Sequence, residues 1–466
     1  MTSHDCEAAW GSSAASCLPR YLGTLAVSWE TLSYSLTAMA ADGTLYLAGT
    51  FSGAANFDPT GGQDLRRSSR DDTGNFSGDV FVTKINASGT YAWTRTFGGP
   101  GSDGIAGLAV VPDGSSVVVL GGFDTAIDLD PGPGIDSHTA PDTGVVGVYL
   151  LKLGSDGARV WADTWTATTI DNVVWGNALS MDANGGLYIS GGLSGFTTFD
   201  FDPGIDVAGR TVSDNSLFVL KVSSAGAFGW VALLGGTACD ASIGRTAVAS
   251  NGTVWAAGAF AGACDFDPGS GVVMRTVVTP MIDGFVLQLS ATGTYLGDWT
   301  LGGGMDSTVW VNDIAASMDG SIYVGGGFTG TVDFDSGTGV ANRTAVDRSG
   351  FLLKLMQDGK FAWVARTPDG AVSGLGAAPN AGVLYWGSFP DPASAQYVAA
   401  VTMLGADQVP MWTLAVGGSS TTLSGLAAGP TGFALIGGDS DASDFDPGPG
   451  VDMISGQPQF VSRYAF

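Results

Sequence analysis

The chain has 466 residues, of which 73 are Gly and 45% are hydrophobic, and its formal net charge is −26. Gly at that level without a collagen period, beside plentiful Val, Leu, Phe and Trp, predicts many short strands joined by tight turns. The charge repels a phosphate backbone, which excludes nucleic acid as a partner, and no apolar run reaches the length of a membrane span. Among 44 acidic residues only Glu7 and Glu30 are Glu. Asp bonds to nearby backbone in turns and disfavours helix interiors, so the acid usage also reads as all-β.

Residues 1–20 read as a tail. They lack the basic start and apolar run of a secretory leader, and the expectation is an exported chain whose leader was removed before Thr2, with Met1 added for expression. Cys6, Cys17, Cys239 and Cys264 are an even, low count at paired local spacings. Two disulfides, Cys6–Cys17 and Cys239–Cys264, fit an extracellular or cell-surface protein; four buried free thiols are the alternative.

From residue 21 onward one motif organises the chain. Asp-Phe-Asp-Pro-Gly or a worn version of it occurs seven times: Asn56–Pro59, Asp128–Gly132, Asp200–Gly204, Asp265–Gly269, Asp333–Gly337, a degenerate Phe389–Pro392, and Asp444–Gly448. Recurrence on this scale marks a blade or solenoid repeat. The unit is clearest from Gly104 to Thr166. Strands are expected at Ile105–Val111, at Val117–Leu129 with a break at Gly121-Gly122, at Val145–Leu153 and at Arg159–Trp165, with turns at Pro112-Asp113-Gly114 and Ser155-Asp156-Gly157. Third strands such as Phe81–Ile85, Tyr149–Leu153 and Phe351–Leu355 precede a Gly turn and then Trp93, Trp161, Trp230, Trp299 or Trp363. These aromatics read as packing between units rather than as a ligand box.

Four strands per unit is the composition of a propeller blade. The last unit stops after its third strand, Phe460–Phe466, and Tyr21–Ser28 sits where a fourth belongs. The expected fold is therefore all-β, a seven-bladed β-propeller of four-stranded blades over residues 21–466, its last blade closed by an N-terminal strand. The combined pattern, Gly-x-Phe-x-Gly-x-x-x-Phe-Asp-Pro-Gly followed by Phe-Val-x-Lys-Leu and a later Trp, resembles bacterial β-propeller repeats of the SBBP type. That resemblance implies a secreted or surface protein and supplies no reaction.

The paired acids invite a cation. Strand alternation puts both carboxylates of Asp-x-Asp on one side and the Phe on the other, and oxygen-rich loops of this kind hold calcium. The candidate ligands are Asp128, Asp130, Asp200, Asp202, Asp265, Asp267, Asp444 and Asp446, with turn capping as the alternative. Two further loops share the pattern Asp-x-x-Val-Trp-x-Asn, at 171–177 and 306–312. Trp175 with Asn177, and Trp310 with Asn312, could stack and hydrogen-bond a glycan or plug the centre of the ring. The only histidines are His4 and His138, and no nucleophile elbow, P-loop or Cys-x-x-Cys is present. The readings are a structural or adhesive scaffold for a surface protein or for copies of itself, then a glycan-binding propeller, then a polysaccharide lyase or hydrolase.

Overall fold

The computed structural model describes residues 18–466 apart from 28–31, 141–145, 167–172, 196–197, 205, 212–215, 278–280, 303–305, 391–395, 441–442, 448–449 and 455–458. Nearly all of the regular structure is antiparallel strand. The first sheet contains Leu32–Met39, Leu45–Ser52, Gly78–Ile85 and Tyr91–Phe97. The second contains Asp103–Val110, Ser116–Asp124, Val146–Gly154 and Arg159–Thr166. Each is a meander, every strand pairing with the next in sequence.

The third and fourth sheets are fused. One strand, Phe228–Val248, pairs with Ser216–Val222 in its first half and with Val254–Asp265 in its second. It bends at Gly235 (φ 139°) and Gly236 (φ 148°), backbone values that side-chain-bearing residues resist. Thr308–Ala316 opens the fifth sheet and Val372–Ala377 the sixth. The seventh has Thr422–Gly429, Gly432–Gly438 and Gln459–Ala465 from the C-terminal end. Its fourth strand is Arg20–Val27, paired from Arg20↔Ala465 to Val27↔Gln459. Ser28 lies outside the described residues. The Tyr21 hydroxyl donates to Asp452, tying the same strand to the seventh acidic loop.

The first strands of the sheets touch one another in chain order, and that of the seventh returns to that of the first. Each first strand carries a β-bulge at the same place, where the partner register slips by one residue. A bulge adds local twist and bends its strand, which suits the innermost, most crowded position.

The seams explain the Lys and Trp of the repeat. The Lys84 ammonium and the Trp93 indole N–H both donate to the carbonyl of Ser155, in the turn of the next sheet, at 2.8 and 3.0 Å. Lys152 and Trp161 do the same to Ser224, at 2.9 and 3.3 Å. Trp230 reaches Ala291, Gln288 reaches Gln357, and Arg463 of the seventh sheet reaches Ala87 of the first. The motif is thus a latch at these five seams; in the fifth sheet Lys354 instead bonds Asp319 of its own sheet, and the Tyr323 hydroxyl reaches the Ala381 carbonyl of the sixth at 2.8 Å. In five of the sheets the loop aromatic covers the third-strand aromatic: Phe57 on Phe81, Phe201 on Phe218, Phe266 on Phe285, Phe334 on Phe351 and Phe445 on Phe460, with centroids 4.4–5.4 Å apart. Burying one such ring is worth ~1.5–3 kcal/mol.

One expectation needs adjusting. Gly121 and Gly122 do not break the second strand of their unit; they stay in register with Tyr149 and Val148. A Cβ on Gly121 would stand 2.3 Å from the Tyr149 hydroxyl, so the glycine makes room for that ring. The interruption falls at Thr125 (φ 65°), after which a separate hairpin begins. Cys239 and Cys264 lie in neighbouring strands of one sheet and form the expected disulfide. Cys6 and Cys17 lie outside the described residues.

Candidate functional site

In the first to fifth and the seventh sheets the acidic loop belongs to a hairpin projecting between the second and third strands, while Asp391 and Pro392 of the sixth copy lie outside the described residues. Asp128 Oδ1 accepts the N–H of Asp130 at 3.0 Å and that of Asp136 at 2.8 Å, while Asp130 Oδ1 accepts the N–H of Gly132 at 2.8 Å. The same three bonds recur from Asp200 and Asp202 and from Asp265 and Asp267. Asp333 and Asp335, outside the expected ligand set, make them too. Asp444 accepts the corresponding pair from Asp446 and Asp452. In the first sheet Asn56 takes the role of the first acid, accepting from Asp58 at 3.2 Å and Asp64 at 2.8 Å. The second acid folds back on its own loop: a Cβ on Gly134, Gly271, Gly339 or Gly450 would meet its Oδ2 at 2.0–2.1 Å. One oxygen of each acid is therefore committed to backbone. Among the described residues no group of three His, Cys, Asp or Glu side chains converges as metal ligands would.

These caps hold outward a residue that sequence reasoning did not single out. It is the seventh after the first acid: Ile135, Val207, Val272, Val340 and Val451, each 71–82% exposed. Single exposed aliphatics are ordinary on a protein surface, but the same one at five equivalent tips is a pattern. Aligning the repeats on their acids would have revealed it.

Trp175 pairs across its sheet with Gly192, and Trp310 with Gly327; each glycine leaves space for the facing indole. The Arg348 guanidinium lies over the Trp310 ring, 4.2 Å from its centroid. The Asn177 amide donates to the carbonyl of Ile243 at 3.0 Å and that of Asn312 to Val372 at 2.8 Å, so both bridge to the next first strand. Asp171 and Asn172 lie outside the described residues. Trp175 and Trp310 belong to different sheets with the fourth sheet between them, and the structure does not bring them into one cluster.

On the axis, the seven first strands line an open hollow of about 220 Å3, contributing Thr37, Leu108, Leu179, Arg245, Asp313, Ser373 and Leu426 among its walls. Trp386, whose facing residue is Gly374, adds an indole. Arg245 Nε stands 3.8 Å from Asp313 Oδ1. Asp313 is fixed by the N–H groups of Ile314 at 2.9 Å and, from the neighbouring sheet, Leu375 at 2.8 Å. Enclosure by the protein raises the Asp313 carboxyl above its ordinary value against the opposing pull of Arg245, although a fifth of the side chain still faces the cavity. A wider hollow of about 470 Å3 lies where the third and fourth sheets fuse, beside Asp265 and Asp267.

A second acid pair sits in the seam between the first and second sheets. Asp79 and Asp103 are each 4% exposed. A Cβ on Gly98 would come within 2.6 Å of Asp79 Oδ1 and 2.7 Å of Asp103 Oδ2, so the two carboxyls crowd one point. Asp79 accepts from the Ser69 backbone and hydroxyl, and Asp103 Oδ2 from Gly99, but Asp103 Oδ1 is buried with no hydrogen-bond partner among the described residues. Burial pushes Asp79 up to about 6, and burial joined by the charges of Asp79 and Asp124 pushes Asp103 up to about 8. At about 8, the Asp103 carboxyl holds its proton at neutral pH.

No family model and no curated protein matches the chain, so the likeness to SBBP-type repeats rests on its motifs alone. Solved structures with similar layouts include the Dos1 propeller, 10% identical with a TM-score of 0.44, covering 96% of this chain and 95% of that one. A protein of unknown function from Dyadobacter fermentans is 9% identical with a TM-score of 0.40, covering 96% and 98%. A mutant of the NanB sialidase from Streptococcus pneumoniae is 10% identical with a TM-score of 0.35, covering 96% and 70%. Likeness of this degree assigns no function, and the ring rests on the chain's own contacts.

Proposed function

We propose that residues 21–466 form a closed seven-bladed β-propeller that works as a rigid adhesive scaffold, gripping a macromolecular partner with its rim of hairpin tips. The observation that carries this reading is the repeated exposed aliphatic at Ile135, Val207, Val272, Val340 and Val451, each held out by a capped acidic loop. Five weak contacts on one rigid ring act together, and their avidity exceeds that of any one. The net charge of −26 favours a partner surface that is basic as well as apolar. Action outside the cell is supported by the Cys239–Cys264 bond, since such bonds persist in oxidising compartments.

The test uses two cationic probes of equal length, a leucine–lysine copolymer and polylysine. The wild-type chain should prefer the copolymer. Replacing all five tip residues by Ser should abolish that preference, leave polylysine binding in place and keep the melting temperature. An unchanged preference in the five-fold variant refutes the rim as the adhesive surface. The glycan reading for Trp175 and Trp310 requires a sugar to displace Arg348 or to use Trp175 alone; a glycan array on which Trp175→Ala and Trp310→Ala bind as the wild type does removes it.

A further inference from the structure

We propose that the axial cavity is a binding site for one small neutral polyol, of the size of a single pyranose or cyclitol. The residues that build it are distinct from the rim, so this inference stands or falls independently of the adhesive reading.

Size comes first. Pockets for drug-sized ligands run to ~300–1,000 Å3, and about 220 Å3 between the seven strands matches a smaller molecule. The lining then selects the chemistry. Thr37 Oγ1 is buried with no hydrogen-bond partner among the described residues. At 3.8 Å from Asp313, the Arg245 Nε is too distant for a hydrogen bond, and among the described residues no protein acceptor hydrogen-bonds to its guanidinium. Ser373 and Ser424 stand at the bulges of their strands and also face the cavity. The site therefore offers a forked donor and several hydroxyls, with the apolar face of Trp386 beside them. That combination suits a ring with alternating C–H and O–H groups.

Charge excludes the alternatives. Arg245 and Asp313 balance one another, Asp313 being fixed by two N–H groups. An anion drawn to Arg245 meets Asp313, and a cation drawn to Asp313 meets Arg245. The charge of the whole chain opposes anions further. The walls are also preorganised: Asn177, Asn312 and Asp313 cross-brace neighbouring first strands by hydrogen bonds, which lowers the cost of ordering the site around a ligand.

Calorimetric titration with D-glucose, myo-inositol and D-gluconate tests the proposal on the intact chain. Saturable one-to-one binding of glucose or inositol, at least tenfold tighter than gluconate, is the expected result. Arg245→Gln and Thr37→Val should each weaken it about tenfold, and the five-fold tip variant should bind as the wild type does. Absence of binding by both neutral probes, preference for gluconate, or affinity unchanged in Thr37→Val with unchanged melting overturns the proposal. If Arg245→Gln fails to fold, Thr37→Val decides alone.

Discussion

Around the rim, the first acid or amide of each described loop accepts the same two backbone N–H groups in six of the sheets. Along the axis, the residues that follow the seven bulges are Leu36, Gly107, Ala178, Arg245, Asp313, Gly374 and Gly425. The rim repeats and the axis does not. A residue that recurs with the same hydrogen bonds in every unit serves the unit. A charged pair that occurs once, where the other units carry small or apolar residues, serves something the units do not share. The seam pair Asp79 and Asp103 is a third case, two buried acids with one backbone N–H each where the first acid of a rim loop has two.

The axis exists only if the ring closes, and breaking closure has the largest expected effect. Deleting residues 1–27 removes the strand that covers Gln459–Ala465 and leaves that strand with an open edge. The truncated chain should lose its cooperative melting transition or aggregate through the edge, seen by calorimetry and light scattering. A truncated chain that stays monomeric and melts like the full one would show that the seventh sheet needs no fourth strand.

Next in size is the seam. Asp103 is held in the folded state at about 8, far above its ordinary 3.8. The folded protein therefore binds a proton that the unfolded chain releases. Its contribution is complete below about pH 4 and is lost as pH rises towards 8, by ~1.4 kcal/mol per unit for one proton. Asp103→Asn keeps the shape and removes the titration. Denaturation by urea should show the variant gaining on the wild type steadily from pH 4 to pH 8. A difference independent of pH would mean that Asp103 ionises freely beside Asp79.

The disulfide ranks third. It closes a separation of 25 residues between strands that already pair, and replacing both Cys239 and Cys264 by Ser should cost ~3 kcal/mol on the loop-entropy estimate. Full activity of the remaining latches predicts that the double variant still folds as a ring, with the axial site intact.

How much of this was legible beforehand follows the same division. Seven repeats, the missing last strand and the Cys239–Cys264 pairing could be read because repetition or local spacing amplified them. The Lys and Trp of the repeat were visible as a pattern, but their partners, Ser155, Ser224 and Ala291, lie some 60–70 residues away across a seam. No local rule predicts such a contact. The bulges were invisible because they change register without changing composition. Arg245 and Asp313 carry no motif, and they stand out only once the first strands are aligned on their bulges.

The smallest expected effect separates a capped turn from a cation site, and the chain contains its own control. Asn56 does natively in the first sheet what Asp128 does in the second, with its amide oxygen accepting the equivalent two N–H bonds at 3.2 and 2.8 Å. If capping is the whole role, Asp128→Asn should change stability by no more than ~0.5 kcal/mol, the range of neutral surface changes. Asp128→Ala, which loses both bonds, should cost ~1–2 kcal/mol. Calcium binding makes the opposite demand, because an amide is a poorer ligand than a carboxylate and a cation bound only by the folded state raises the melting temperature with its free concentration. We expect chelator-treated protein and protein in millimolar calcium to be distinguished by Asp128→Asn: a calcium-dependent rise in the wild type that shrinks in the variant assigns the second oxygens of Asp128 and Asp130 to a cation, and coincident melting curves leave them as caps that hold the rim in place.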